Sequence, residues 1–189
     1  MKNDPVEDYI LKNERNLRVA AAVSEAWLAA RGKLISGFLD RLDARLKRQL
    51  KGWKSEHNGA DFIVAAYPGY WLWKPAWEDQ YTVGLQCHEY GERMVMGVTR
   101  EINHIGKRPF NEKLLSVIKP VHSSAKSHQW WEARVTLREP APDWRKPEVL
   151  WRMHKDDAFL VAVADQLLEI ARTSERIIDG MARKDWKKK

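Results

Sequence analysis

The amino-acid sequence predicts an α+β domain, in which an antiparallel sheet of three to four strands packs against a long N-terminal helix, or helix pair, and a long C-terminal helix. Apolar residues recur every three or four positions over 35–50 and 159–181, which is the spacing of a helix with one buried face. Over 81–87 and 94–98 they alternate instead, as in half-buried strands. Strands that follow one another without an intervening helix favour antiparallel pairing.

Length and composition limit the class of protein. The 189 residues suit one domain, 44% of them are hydrophobic and 31% are charged, which is typical of a globular chain. The single cysteine, Cys87, excludes an internal disulfide and fits a reducing compartment. No apolar run approaches the roughly 18–20 residues that span a bilayer, and the first residues lack the apolar segment of a secretion signal. We therefore predict a cytoplasmic protein without membrane contact.

The N-terminal half of the helical region is predicted to be an extension of the domain. The expected division is an N-terminal helical extension at 1–32, the α+β domain at 33–183 and a basic tail at 184–189. Asp4 and Pro5 form a helix-start signal. Gly32 is predicted to divide the segment into two helices, because an interior glycine costs about 1 kcal/mol relative to alanine. The extension either packs on the domain or meets a partner.

The region 62–101 is predicted to hold three successive antiparallel strands. Asn58-Gly59 precedes it as a turn, and a hairpin loop at 88–92 joins the second and third strands. We expect the face that carries residues 81, 83, 85 and 87 to lie under the helices. Gly84 and Gly97 weaken strand pairing unless something packs closely over them, and a tryptophan ring is one candidate. The face with these glycines is either closed by tryptophans or is an open binding site.

The C-terminal third adds one strand and two or three helices. Asn111 is predicted to cap a short helix over 112–119, and Asp156 or Asp157 to cap a long helix that runs to about residue 183. Alternation over 131–137 predicts the fourth strand, with Trp131 on the same face as Ala133. The stretch 148–153 is predicted to be a short strand or a helical turn.

The motifs of common catalytic and metal sites are absent from the sequence. There is no glycine-rich phosphate loop, no nucleophile elbow and no metal-ligand spacing among the six histidines, so we predict no cofactor and no metal. Cys87 and His88 are adjacent on a strand and must point to opposite faces, which excludes a dyad. A divergent hydrolase would have to use His88, Glu89, His104 or His128.

Charge and tryptophan content indicate a binding surface. The formal net charge is +7, the isoelectric point is near 9.5, and the chain holds ten tryptophans. Cationic side chains beside aromatic rings are typical of nucleic-acid surfaces, where the charges hold phosphates and the rings stack on bases. The candidate binding residues are Trp71, Trp73, Lys74, Trp77, Trp130, Arg134, Trp144 and Arg145, together with Arg41, Arg45 and Arg48 on the basic side of the N-terminal helix. The alternatives for the tryptophans are core packing and a protein interface.

The order of these features resembles a known family. The segment Gly69-Tyr70-Trp71-Leu72-Trp73, the strand 81–86, the pair Trp130-Trp131, the later Trp144 and the helix that closes at 177–179 follow in an order similar to the C-terminal region of certain large bacterial and phage proteins of the PD-(D/E)XK nuclease superfamily. The resemblance covers about residues 35–180. The strand 94–101, MVMGVTRE, lacks the carboxylate-x-Lys signature of that superfamily, so no catalytic residue is carried over. The resemblance implies a non-catalytic accessory module that acts in phage–host conflict, in defence or anti-defence.

Three functions follow from the sequence. The first is a non-catalytic protein whose basic, tryptophan-rich surface binds nucleic acid or a nucleic-acid-handling complex. The alternative is a protein–protein interaction module that works through the N-terminal helix and exposed tryptophan side chains and has no role with nucleic acid. The third is a divergent hydrolase or nuclease remnant.

Overall fold

The computed structural model describes residues 4–63, 65, 67–77, 80–100, 110–137 and 139–185. The helices are α1 Pro5–Leu11, α2 Glu14–Gln49, α3 Glu112–Ile118, α4 Pro147–Lys155 and α5 Asp157–Asp185. The strands are β1 Lys54–His57, β2 Gly69–Trp73, β3 Val83–His88, β4 Arg93–Thr99, β5 Lys126–His128 and β6 Trp131–Thr136. Short 3-10 helices at Gly59–Ile63, Pro75–Trp77 and Glu89–Gly91 connect some of them.

The strands form one antiparallel sheet in the order β1-β2-β3-β4-β6-β5. The predicted α+β class, with its antiparallel sheet and its two long helices, is confirmed. The sheet has six strands rather than three or four, and the two additional strands are its edges. The edge strands are four and three residues long with the polar sequences KSEH and KSH, so they carry no apolar alternation that marks them as strands.

Helix α2 is continuous over 36 residues, and Gly32 does not divide it. The break lies earlier, between α1 and α2, where the Asn13 side chain accepts a hydrogen bond from the Asn16 amide at 2.9 Å and caps α2. Gly32 is buried, and a Cβ there would lie 3.3 Å from the Cβ of Ala60. The glycine therefore allows the 3-10 helix at Gly59–Ile63 to approach α2 closely. The predicted caps at Asp4 and Asn111 are both present.

The core lies between one face of the sheet and the helices α2 and α5. The predicted α2 stripe is buried as expected, and so are the inward residues of β3 and β4. The α5 stripe is fully buried from Phe159 to Ile170 and half-buried at Ile177 and Met181. Asp156 caps α5 through its Oδ1, which accepts from the Ala158 amide at 2.8 Å. The stretch 148–153 is helical, as part of α4.

The segment before Gly32 contributes nothing to this core. Of the described residues from Asp4 to Arg31, none is buried, although the segment carries several large apolar side chains. No helix in the described ranges has both the length and the apolar character that crossing a bilayer requires.

Candidate functional site

The face of the sheet that turns away from the helices bears a cavity of about 730 Å³. On β3 the inward residues are Val83, Leu85 and Cys87, so Gln86 and His88 point to this open face. The described residues that line the cavity are Tyr67, Trp71, Gln86, His88, Arg93, Thr99, Arg100, His128, Gln129, Trp130, Trp131 and Arg134. Four of them are aromatic, three are arginines, and among these described residues none is acidic.

Trp71 forms the aromatic floor because two glycines leave room for its ring. A Cβ at Gly84, the cross-strand neighbour of Trp71, would lie 2.1 Å from ring atom Cε3, and one at Gly69 would lie 2.2 Å from Cζ2. The expectation that a tryptophan covers Gly84 is confirmed. At Gly97 the neighbour is not a tryptophan, since a Cβ there would meet the carbonyl oxygen of Ala133 on β6.

A β-bulge brings Trp131 to the same floor. Val98 on β4 pairs with Ala133, but the next residue, Thr99, pairs with Trp131, so one residue of β6 is skipped. Trp131 therefore lies on the open face, with its ring centroid 6.1 Å from that of Trp71, while Ala133 points to the core. The prediction that Trp131 and Ala133 share a face was wrong, because strict alternation does not continue through a bulge.

The Arg134 side chain has no partner among the described residues, unlike the other two arginines of the cavity. Arg93 pairs with Glu89 at 2.8 Å, and Arg100 pairs with the buried Glu132 at 3.4 Å. The Arg134 side chain makes no hydrogen bond or ion pair with any described residue, and its Nε is buried. Burial, together with the nearby charge of Arg93, lowers the pKa of Arg134. Keeping a half-buried guanidinium charged beside a second guanidinium, with no carboxylate in the described lining, costs free energy. A bound anion would offset that cost.

Two histidines complete the polar rim of the cavity. Burial, reinforced by the charge of Arg134, lowers the pKa of His88 to about 4, and the same two causes lower the pKa of His128. Both imidazoles are therefore neutral near pH 7 and can donate or accept hydrogen bonds. His88 Nε2 lies 2.9 Å from Gln86 Oε1, and the Tyr67 ring packs edge-on at 5.4 Å from the His88 ring.

The predicted binding residues do not all reach one surface. Trp71, Trp130 and Arg134 come together at the cavity, and Trp130 is 43% exposed. Trp77 and Trp144 are fully buried, so the prediction that they belong to a binding surface was wrong for these two rings. Their wide, mainly apolar ring systems fill the space between the sheet and the helices.

Lys74 and Trp73 make contacts within the domain and do not belong to the open-face cavity. Lys74 Nζ contacts Glu175 at 2.5 Å and Asp179 at 2.7 Å, and Asp179 also accepts a hydrogen bond from Trp77 Nε1 at 2.8 Å. These contacts join the 3-10 helix at Pro75–Trp77 to α5. Trp73 is half-buried against the core.

The remaining predicted cations lie away from the cavity. Arg41 donates to the carbonyl of Met153, and Arg45 lies 3.8 Å from Asp165. Arg48 is exposed on α2, the helix that covers the opposite face of the sheet. Arg145 contacts Asp143 at 3.0 Å and Glu92 at 3.2 Å. The structure therefore does not bring the arginines of the N-terminal helix together with the tryptophan floor.

Cys87 and His88 point to opposite faces, as predicted. Cys87 is fully buried under the helices, and burial raises the pKa of its thiol to about 11. Within the described part of the chain, no group of three or more His, Cys, Asp or Glu side chains is placed to hold a metal ion. His88 and His128 line the same cavity, whereas His104 lies outside the described residues.

A larger cavity of about 990 Å³ lies between α3 and the second half of α5. Its charged lining mixes Glu112 and Glu132 with Lys113 and Arg176, and the rest is mostly apolar or neutral. Charges of both signs can satisfy one another there. The larger cavity therefore has no net preference for an anion, in contrast to the open-face cavity.

Replacing Gly84 with alanine tests whether the Trp71 ring is seated on the sheet. The new methyl group would occupy the position of the ring, so we expect a loss of roughly 1–3 kcal/mol in the free energy of unfolding, measured by urea denaturation. Gly37→Ala is the matched control, because nothing lies within 4 Å of a Cβ at that position of α2. There, alanine should stabilise the helix by about 0.5–1 kcal/mol. A Gly84→Ala protein as stable as the parent would contradict this placement of Trp71.

A scan against protein-family models, a search of curated proteins and a search of solved structures found no match to this chain.

Proposed function

We propose that the protein binds single-stranded nucleic acid on the open face of its sheet. The observation that carries the proposal is the unpaired Arg134 side chain, half-buried beside the rings of Trp71 and Trp130 in a cavity whose described lining has no carboxylate. The guanidinium can hold a phosphate by charge, and the aromatic rings can stack on an unstacked base. Both groups lie within one cavity.

A single strand fits this surface better than a duplex. Stacking on a protein ring requires a base that has left its own stack, and single strands supply such bases without the cost of unpairing. The volume of about 730 Å³ lies within the roughly 300–1,000 Å³ range of small-ligand pockets, which suits a short stretch of strand. The rim polar groups of Gln86, His88 and His128 can hydrogen-bond base edges or sugars.

The proposal rests on these contacts and not on the resemblance to the PD-(D/E)XK superfamily. A role in phage–host conflict is a further part of the proposal that the resemblance alone supports. The domain can serve such a role by capturing nucleic acid or a nucleoprotein complex, with no catalytic step.

Fluorescence anisotropy with labelled single-stranded DNA, single-stranded RNA and duplex DNA tests the proposal. We expect both single strands to bind more tightly than the duplex, with an affinity that falls as salt rises because phosphate contacts release counterions. Quenching of tryptophan fluorescence should accompany binding, since stacked bases quench indole rings. Absence of binding to every probe at low salt, or equal binding of duplex and single strand, would overturn the proposal.

The affinity should rise as the pH falls from about 6.5 towards 5. A phosphate beside Arg134 adds negative charge near His88 and His128 and raises their pKa values, so binding takes up protons. At His88, the charge of Arg93 also lowers the pKa, and the charge of Glu89 opposes that lowering. At His128, the charge of Lys126 also lowers the pKa. In the free protein the folded-state pKa of His88 is below its ordinary value, so its contribution to stability is present above pH 6.5 and is lost as the pH falls towards about 4.

Anisotropy titrations across this pH range, with a fluorescence check that the free protein stays folded, measure the effect. His88→Gln and His128→Gln keep polar groups at the site but cannot titrate. Each should flatten the pH dependence while binding at pH 8 stays similar. A parent protein whose affinity is constant between pH 8 and pH 5 would contradict the expected proton uptake.

A further inference from the structure

The segment of α2 before Gly32 is an apolar helix, and most of its side chains are exposed in the described structure. Leu17, Val19, Val23, Trp27 and Leu28 are between 38% and 62% exposed. Over residues 19–30 the only charged side chain is that of Glu25, and six of the twelve residues are alanine. A helix of this composition is normally buried, because water solvates it poorly on every side.

We propose that residues 14–31 of α2 pair antiparallel with the same residues of a second copy of this chain. The face that fits such pairing carries Leu17, Ala21, Ser24 and Leu28, which repeat at the three- and four-residue spacing of a helix–helix seam. A twofold axis between residues 22 and 23 places Leu17 opposite the partner's Leu28. It also places Ala21 opposite the partner's Ser24, so small residues at the centre allow the two helices to approach closely.

Charge complementarity selects the second copy and the antiparallel direction. Arg18 and Glu25 flank the seam on the same side, and the twofold axis brings Arg18 close to the partner's Glu25, twice in the dimer. At the ends, Glu14 faces the partner's Arg31, whose side chain is half-buried in the single chain. A parallel pair in register would instead place Glu14 beside the partner's Glu14 and Arg31 beside the partner's Arg31. Within one chain, Arg18 donates to Glu14 through Nε at 3.0 Å and Nη2 at 2.6 Å, and its Nη1 remains for the partner's Glu25.

The geometry is self-complementary, as an isologous dimer requires. Each contact between the two copies joins a residue of 14–31 in one chain to a different residue of 14–31 in the other, and the twofold axis repeats that contact. On the flank away from Glu25, the Trp27 ring, 38% exposed in the single chain, lies over the partner's Ala20. The large ring therefore meets a small residue, which satisfies the steric requirement of close helix packing.

Sedimentation equilibrium and light scattering across a wide concentration range test the proposal. We expect a particle of twice the 22.1 kDa chain mass that dissociates on dilution. Leu28→Glu should give a monomer with unchanged circular dichroism, because Leu28 is 52% exposed and the domain core does not use it. A monomer at every concentration, or a larger particle that Leu28→Glu leaves intact, would overturn the proposal.

A charge swap tests the direction of pairing. Glu25→Arg places two arginines together and should weaken dimerisation about tenfold or more. The double variant Arg18→Glu with Glu25→Arg restores opposite charges and should restore the dimer. Arg15→Glu is the matched control, because Arg15 lies on the far side of the helix from the seam and should not change the dissociation constant. If the double variant dimerises as weakly as Glu25→Arg alone, this antiparallel register is excluded. If the parent protein is monomeric and binds lipid vesicles, residues 14–31 contact membranes instead of a second copy.

Discussion

Reversing the charge at Arg134 should abolish binding of single-stranded nucleic acid. Glutamate at this position would repel the phosphate that the half-buried guanidinium is proposed to hold. We expect Arg134→Glu to weaken the affinity about a hundredfold, or roughly 3 kcal/mol, which is within the range for loss of a half-buried charge contact. The milder Arg134→Gln should weaken it less and lower the slope of log affinity against log salt by about one. Anisotropy titrations at several salt concentrations measure both quantities.

Arg48→Glu is the control for this experiment. It makes the same charge reversal at an exposed residue of α2, on the opposite side of the sheet. Its affinity should stay close to that of the parent, and both variants should unfold at the parent temperature. The reverse pattern, with binding lost in Arg48→Glu and kept in Arg134→Glu, would move the interface to the basic helix. Because Arg134 faces Arg93 and no carboxylate in the described cavity lining, its replacement should not destabilise the fold.

Replacing Trp144 with alanine should destabilise the protein more than any change at the open face. Its ring packs against Phe38 at 5.4 Å, Phe62 at 5.7 Å and Phe159 at 6.3 Å, and its Nε1 donates to the Ala141 carbonyl at 3.2 Å. Removing a fully buried tryptophan leaves a large cavity, and the expected loss is about 3–5 kcal/mol in the free energy of unfolding. Urea denaturation followed by circular dichroism measures it.

Trp151 provides the matched control for this substitution. It lies on α4, is 62% exposed and packs on His154 and Lys155 at the surface. Trp151→Ala should change the stability by no more than about 0.5 kcal/mol. If Trp144→Ala is as stable as Trp151→Ala, the aromatic cluster is not packed as described. If Trp144→Ala loses nucleic-acid binding, the fraction of binding lost should equal the fraction of the protein that is unfolded.

Much of the fold could be predicted because its signals are local. A helix or a strand turns its side chains towards the core at a fixed spacing along the chain. The apolar stripes of α2 and α5 and the alternation of β3 therefore indicate which side chains are buried. Asp4, Asn111 and Asp156 cap helices through amides two or three residues away. The edge strands β1 and β5 were missed because their backbones pair with β2 and β6 while their short polar sequences carry no period.

The candidate site was predictable only in part. The alternation of β3 places Gln86 and His88 on the face away from the helices, and Gly84 indicates a bulky neighbour above it. Trp131 was assigned to the wrong face because a bulge in β6 is decided by pairing with β4, and nothing in residues 131–136 marks the skipped position.

The sequence alone determined the α+β class and the two long helices, and it left open whether the second face of the sheet is covered. Only the tertiary structure decided which tryptophans are buried and that the Arg134 side chain has no partner among the described residues. Trp71, Trp77 and Trp144 look alike in the sequence, yet one lies on an open floor and two lie in the core. The reason is that burial and charge pairing depend on contacts between residues far apart in the chain, whereas periodicity and capping depend on neighbours.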